Sequence, residues 1–213
     1  MTKPKTVSRE AAPKKRQRRK DARPAEIIEA GLAEFAEKGF AGARLADVAA
    51  RAGVVKGTIY RYFDNKEALF QAAVTSRIIS TLDNVEELVD GYGGPTDELL
   101  KLVLKVIYEK IVASDARVLL RIIIAEGARF PDIPANYYRD SISKGMALID
   151  RIVQRGIEQG EFRDSPMSKM PNIIMGPAIF AAVWKMTFEP VAPLDLDAFM
   201  EAHVDMALNG LLR

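Results

Sequence analysis

From Arg23 onward apolar residues recur three and four positions apart, and no stretch alternates apolar with polar residues as a half-buried strand requires. The pattern predicts an all-α chain. A first helix spans residues 23–38, with Pro24 suited to its first turn, Ile28, Leu32 and Phe35 on one face, and Gly39 as its stop. Two short helices follow, over 45–52 and 56–62, with Gly53 closing the first of them. Asn65 is placed to cap a long fourth helix that begins at Lys66, and Glu67 sits near its positive end. The run Gly91-Tyr92-Gly93-Gly94-Pro95 breaks the pattern, and Thr96, followed by Asp97 and Glu98, restarts a helix to about residue 113. Further helices are predicted over 115–128, 134–159 (closed by Gly160), 168–187 and 196–212; Pro190 and Pro193 separate the last two, and Pro177 is expected to kink the one before. There is no internal repeat.

Composition removes whole classes of chemistry. The 213 residues, 48% of them hydrophobic, suffice for a substantial core. With no cysteine there is no disulfide, thiolate metal site or cysteine nucleophile, which suits a reducing cytoplasm. The single histidine, His203, argues against a histidine-centred hydrolase or a multi-histidine metal site and leaves carboxylate and lysine chemistry open; the expectation is no catalytic residue, no metal and no cofactor. The longest apolar run, 173–184, is about half of the roughly 20 residues a bilayer span requires, and no apolar segment follows the basic N-terminus as in a secretory signal. A soluble, cytoplasmic protein with no membrane partner is the expectation.

The net charge of +2 is informative once it is divided along the chain. Residues 1–20 hold nine Lys/Arg and one acidic residue, a local +8, which leaves −6 on the remainder. A basic arm, expected to be disordered, ahead of a mildly acidic body is the asymmetry of a nucleic-acid-binding end on a non-binding body.

The segment LADVAARAGVVKGTIYRYFDNK, residues 45–66, reads as two short helices joined by a glycine turn. Val48, Ala49, Ala52, Val54 and Ile59 are spaced to pack the helices across each other, and Gly53 frees the turn. The outer face of the second helix then offers Lys56, Gly57, Thr58, Tyr60, Arg61 and Tyr62, with Lys66 just beyond. Cations there neutralise phosphates, hydroxyls donate to phosphate oxygens, and Gly57 permits close backbone approach.

The stretch GVVKGTIYRYFDNKEALF, together with AGLAEFAEKGFAGARLADVA upstream, resembles the signature of the tetracycline-repressor (TetR) family over about residues 23–70. The resemblance implies an N-terminal three-helix helix-turn-helix DNA-binding head over 21–66, behind the arm of 1–20, and a C-terminal helical bundle for ligand binding and dimerisation over 67–213. It makes residues 56–63 the recognition helix and its end, and puts Thr58, Tyr60 and Lys66 on frequent phosphate-contacting positions. Two positions depart from the usual pattern. Val55 stands where Ser or Pro opens the recognition helix, and Arg44 stands where Thr or Ser caps the helix before it. A cation at a positive helix end is unfavourable unless it meets a phosphate, so Arg44 joins the expected DNA contacts.

The family further implies an effector cavity among the middle helices and a homodimer interface on the last two. Tyr108, Arg121, Glu126, Phe130, Tyr137, Tyr138, Met175 and Trp184 supply the aromatic walls and few polar groups that a small-molecule pocket needs. Ile174, Phe180, Phe199, Met200, His203, Ala207 and Leu211 form the apolar stripe expected between two copies. The function these readings imply is a ligand-responsive transcriptional repressor, released from a palindromic double-stranded DNA operator by a small-molecule inducer. Its rivals are a carboxylate enzyme using Glu126, Asp132 and Asp140, and an interaction adapter whose helix-turn-helix is only scaffold.

Overall fold

The computed structural model describes the backbone of residues 14–212 and the side chains of residues 23–212. Eleven α-helices account for most of it: α1 (Lys14–Gly42), α2 (Leu45–Arg51), α3 (Lys56–Ile59), α4 (Lys66–Val74), α5 (Ser80–Gly91), α6 (Thr96–Ile107), α7 (Arg117–Glu126), α8 (Asp132–Tyr137), α9 (Ser143–Glu158), α10 (Pro171–Thr187) and α11 (Leu196–Leu211). Among the described residues there is no strand, only an isolated antiparallel bridge between Phe162 and Leu212.

The three glycines that the pattern marks as stops, Gly39, Gly53 and Gly160, are the positions with positive φ, at 70°, 65° and 76°. Left-handed backbone is strained for any residue with a Cβ, so the chain turns where glycine allows it. Asn65 caps α4 as expected, its side-chain oxygen accepting from the Ala68 N–H at 2.7 Å. The N-terminus of α6 is held differently. Glu161, in the loop just after α9, accepts from the Thr96 N–H at 2.6 Å, so a distant carboxylate meets the positive helix end.

Three departures from the sequence pattern matter. Helix α1 begins at Lys14, so residues 14–20 of the expected disordered arm are helical and Pro24 lies inside the helix; residues 1–13 lie outside the described part. The recognition helix is a single turn, and residues 60–62 continue it as turns. Finally, π-helical turns interrupt three of the long predicted helices, at Thr75–Ile79, Tyr108–Val112 and Tyr138–Ile142. Each inserts one extra residue per turn, a defect that leaves no trace in an apolar period of three and four. Helix α10, by contrast, runs through Pro177.

Two apolar cores result. One joins α1–α4 to α7 and α8 around Phe35, Phe40, Leu69 and Phe70; the other lies among α5, α6, α9, α10 and α11 around Leu99, Leu104, Ile149 and Ile174. The N-terminal helices are thus packed on α7 directly. Phe40 lies 5.8 Å from Phe70 and 5.3 Å from Phe130, both edge to face, pairs worth about 0.5–1.5 kcal/mol each beyond simple burial.

Candidate nucleic-acid interface and effector cavity

Helices α2 and α3 are held by their inner faces. Leu45, Val48, Ala49 and Ile59 are buried, which turns Arg44, Lys56, Gly57, Tyr60 and Arg61 outward; Tyr60 is 47% exposed. A Cβ on Gly57 would meet nothing within 4 Å, so this point of the helix is open to a close-approaching partner. Neither Arg44 at the start of α2 nor Val55 at the start of α3 supplies a capping side chain. Both helices therefore leave N–H groups at their N-termini for an external acceptor. Among the described residues Arg44, Lys56 and Arg61 take part in no ion pair, so their charge is available to phosphates.

Thr58 and Tyr62 are half-buried, and the Tyr62 ring leans on Phe63 at 6.5 Å. Lys66 is placed differently from the outward face expected of it. Its ammonium donates to the Phe40 carbonyl at 2.9 Å and the Ala41 carbonyl at 3.2 Å, and lies 4.7 Å from the Phe40 ring centroid. A cation there is stabilised by two carbonyl oxygens and by the ring face, so Lys66 clamps the segment after Gly39 to α4.

An ion-pair network that sequence reading missed sets the angle of α2 against α1. Glu34, only 2% exposed, is 2.5 Å from the Lys38 ammonium and 3.0 Å from Arg51 Nε; Arg51 also pairs with Glu37, and Lys38 with Asp47 at 3.2 Å. Hydrogen bonds to Glu34 and Asp47 raise the Lys38 pKa, and those to Glu37 and Glu34 raise that of Arg51, so both stay charged. The Glu34–Lys38 spacing of four was the signal available in the sequence.

Of the eight residues expected to form the effector pocket, Tyr137 and Met175 line a cavity of about 100 Å³ among α5, α6, α7, α8, α9 and α10. The other six lie elsewhere. Arg121 donates to the carbonyls of Phe35 (3.3 Å) and Ala36, Glu126 accepts from the Ala41 N–H at 3.2 Å, and Phe130 meets Phe40 edge to face, so these three join the N-terminal helices to the body. Tyr108 is buried with its hydroxyl 3.0 Å from His203 Nδ1. Tyr138 is 63% exposed, and the Trp184 indole donates to the Ala192 carbonyl at 2.8 Å between Phe180 and Phe188. All three π turns reach the cavity wall, through Ile78, Val112 and Ser141.

The expected dimer stripe divides in the same way. Ile174, His203, Ala207 and Leu211 are buried within the chain's own core, whereas Phe180 is 50% exposed and stacks on half-buried Phe199, with Met200 also half-buried. Helices α10 and α11 carry two apolar faces each, and spacing alone does not say which one turns inward. The outward face includes Ile173 and Met206, neither of which the stripe contained.

Comparison with known proteins agrees with this architecture. The profile of the family described as bacterial regulatory proteins, tetR family, matches residues 27–73, and that of the AefR-like transcriptional repressor C-terminal domain matches residues 98–209. The chain belongs to the TetR family of transcriptional regulators. The transcriptional repressor KstR2 of Mycobacterium tuberculosis is 24% identical to this TetR-family chain, over 91% of it and 94% of the repressor. The solved structure of the fatty acid degradation regulator FadR of Bacillus halodurans superimposes with a TM-score of 0.76 at 20% identity, covering 96% of this chain and 100% of that one. FadR of Bacillus subtilis, solved with stearoyl-CoA, gives 0.70 at 21% identity over 87% and 98%. These relatives are regulators of transcription, and no helix among the described residues is long and apolar enough to cross a membrane.

Proposed function

We propose that this TetR-family protein is a homodimeric repressor that binds a palindromic operator and is released from it when a small molecule fills the cavity. The observation that carries the reading is the continuity of α4 with α5. The rod leaves the DNA-facing head at Asn65, passes through the π turn Thr75–Ile79, and puts Ile78 into the cavity wall. Whatever occupies the cavity pushes on the same rod that carries the recognition helix.

Arg44, Lys56, Gly57, Thr58, Tyr60, Arg61 and Tyr62 form the proposed DNA face, with Lys66 holding its base. Two copies joined through Phe180, Phe199 and the outward faces of α10 and α11 would set two recognition helices one helical turn of DNA apart, about 34–36 Å. Similarity to a transcriptional regulator solved in complex with stearoyl-CoA supports the inducer step. The differential affinity required between the two states is of order 1–3 kcal/mol.

The test is a fluorescence-anisotropy titration against DNA selected from a random duplex pool, with the mass of the free and bound protein followed by light scattering. The expected result is a palindromic consensus bound by one dimer, with affinity that falls steeply with salt. A monomer on DNA, or binding indifferent to salt and sequence, overturns the reading.

A further inference from the structure

The cavity wall contains a hydroxyl with nothing to bond to. Ser141, in the π turn Tyr138–Ile142, is 2% exposed and its Oγ has no hydrogen-bond partner. Other hydroxyls on helices or just after them behave differently: those of Thr75, Thr81, Ser114 and Ser143 each donate to the carbonyl four residues earlier, at 2.6 to 3.1 Å. A buried hydroxyl left unsatisfied costs free energy, so Ser141 is a standing deficit within the protein's own packing.

The rest of the wall sets what could answer it. The cavity is lined by aliphatic side chains with four polar exceptions: Thr81, Arg117, Tyr137 and Ser141. The Thr81 hydroxyl is committed to the Arg77 carbonyl at 2.8 Å. Arg117 is anchored through Nη1 to the carbonyls of Val112 and Ser114, at 3.1 and 3.2 Å, and its charge also acts on Glu189. The Tyr137 phenol is pushed up to about 12 by burial and stays neutral. The hydroxyls left to meet an occupant, those of Tyr137 and Ser141, are thus uncharged, and the wall's one cation is tied to the main chain through Nη1.

We propose that Ser141 is the polar anchor of the effector site, and that the site takes an aliphatic ligand bearing one uncharged hydroxyl or carbonyl group. This rests on the reading of the cavity as the effector site. The present volume of about 100 Å³ is small against the roughly 300–1,000 Å³ of ligand pockets, so the aliphatic part enters by spreading the walls. The three π turns are the places where the wall can give, because each holds a residue that an α-helix would not.

The experiment uses the full-length protein and two probes of equal chain length, 1-octanol and octanoate, titrated by calorimetry into the native sequence and into Ser141→Ala and Ser141→Val. The native protein is expected to bind 1-octanol at least tenfold more tightly than octanoate, and Ser141→Ala to lose roughly tenfold on 1-octanol alone. Without ligand, Ser141→Ala is expected to melt at the same temperature as the native protein or higher, since it removes an unpaired polar group; a structural serine would give a lower melting temperature. Octanoate binding as tightly as the alcohol, no alcohol binding, or alcohol affinity in both variants within twofold of native each overturns the anchor. Operator release is read on the same samples, so that alcohol binding through Ser141 without release would count against the inducer role and leave the anchor standing.

Discussion

Glu126 on α7 accepts a hydrogen bond from the backbone N–H of Ala41, 3.2 Å away, at the turn that leads from α1 into the helix-turn-helix. One carboxylate of the body thereby holds the bend on which the DNA-facing head hangs. Arg121, one and a half turns earlier on the same helix, grips the carbonyls of Phe35 and Ala36. Replacing Glu126 by Ala should free this joint. Hydrogen exchange over residues 39–44 is expected to quicken by about tenfold while that of α9 is unchanged; equal rates in both proteins would show that the joint does not depend on Glu126.

Lys66 and Tyr60 should separate folding from DNA binding. Lys66→Ala removes the cation from the segment after Gly39 and is expected to cost about 1–2 kcal/mol of stability in urea denaturation. Tyr60→Ala, at an exposed position, should change stability by less than about 0.5 kcal/mol and weaken operator binding. A stable Lys66→Ala protein with impaired DNA binding would return Lys66 to the phosphate contacts.

The role assigned to Lys56 is electrostatic, and salt reads it. In Lys56→Ala the slope of log affinity against log salt should become shallower by about 0.9 for each recognition helix engaged. Weakened binding with an unchanged slope would mean that Lys56 meets no phosphate.

His203 gives the fold a pH dependence. Its Nε2 lies 2.7 Å from the Ile174 carbonyl, which can only accept, so Nε2 carries the proton and Nδ1 accepts from the Tyr108 hydroxyl. Burial lowers the pKa of the imidazole from its ordinary 6.5, outweighing the opposite pull of the Ile174 carbonyl. As pH falls through about 6.5 the unfolded chain takes up a proton that the folded chain resists, so this group's contribution is level above that pH and destabilising below it. Melting temperatures from pH 8 to 5 should fall less in His203→Gln than in the native protein, once each is referred to its own value at pH 8. Parallel curves would place the imidazole in water.

The helix order, the three glycine turns, the Asn65 cap and the outward set around Lys56 and Tyr60 follow from local rules: apolar period, left-handed backbone at glycine and capping chemistry act within a few residues and can be read along the chain. Which of two apolar faces α10 and α11 turn inward was settled only by packing, which buried Ile174 and His203 and left Ile173 and Phe180 outside. The same holds for Arg121, Glu126 and Phe130, whose composition suits a pocket yet whose partners, Phe35, Ala41 and Phe40, lie more than eighty residues away in the chain. The hydroxyl of Ser141 becomes a functional feature only once every neighbour is in place and none of them reaches it. A residue's chemistry is written in its side chain, but the company it keeps is fixed by long-range packing, to which a periodicity of three and four is blind.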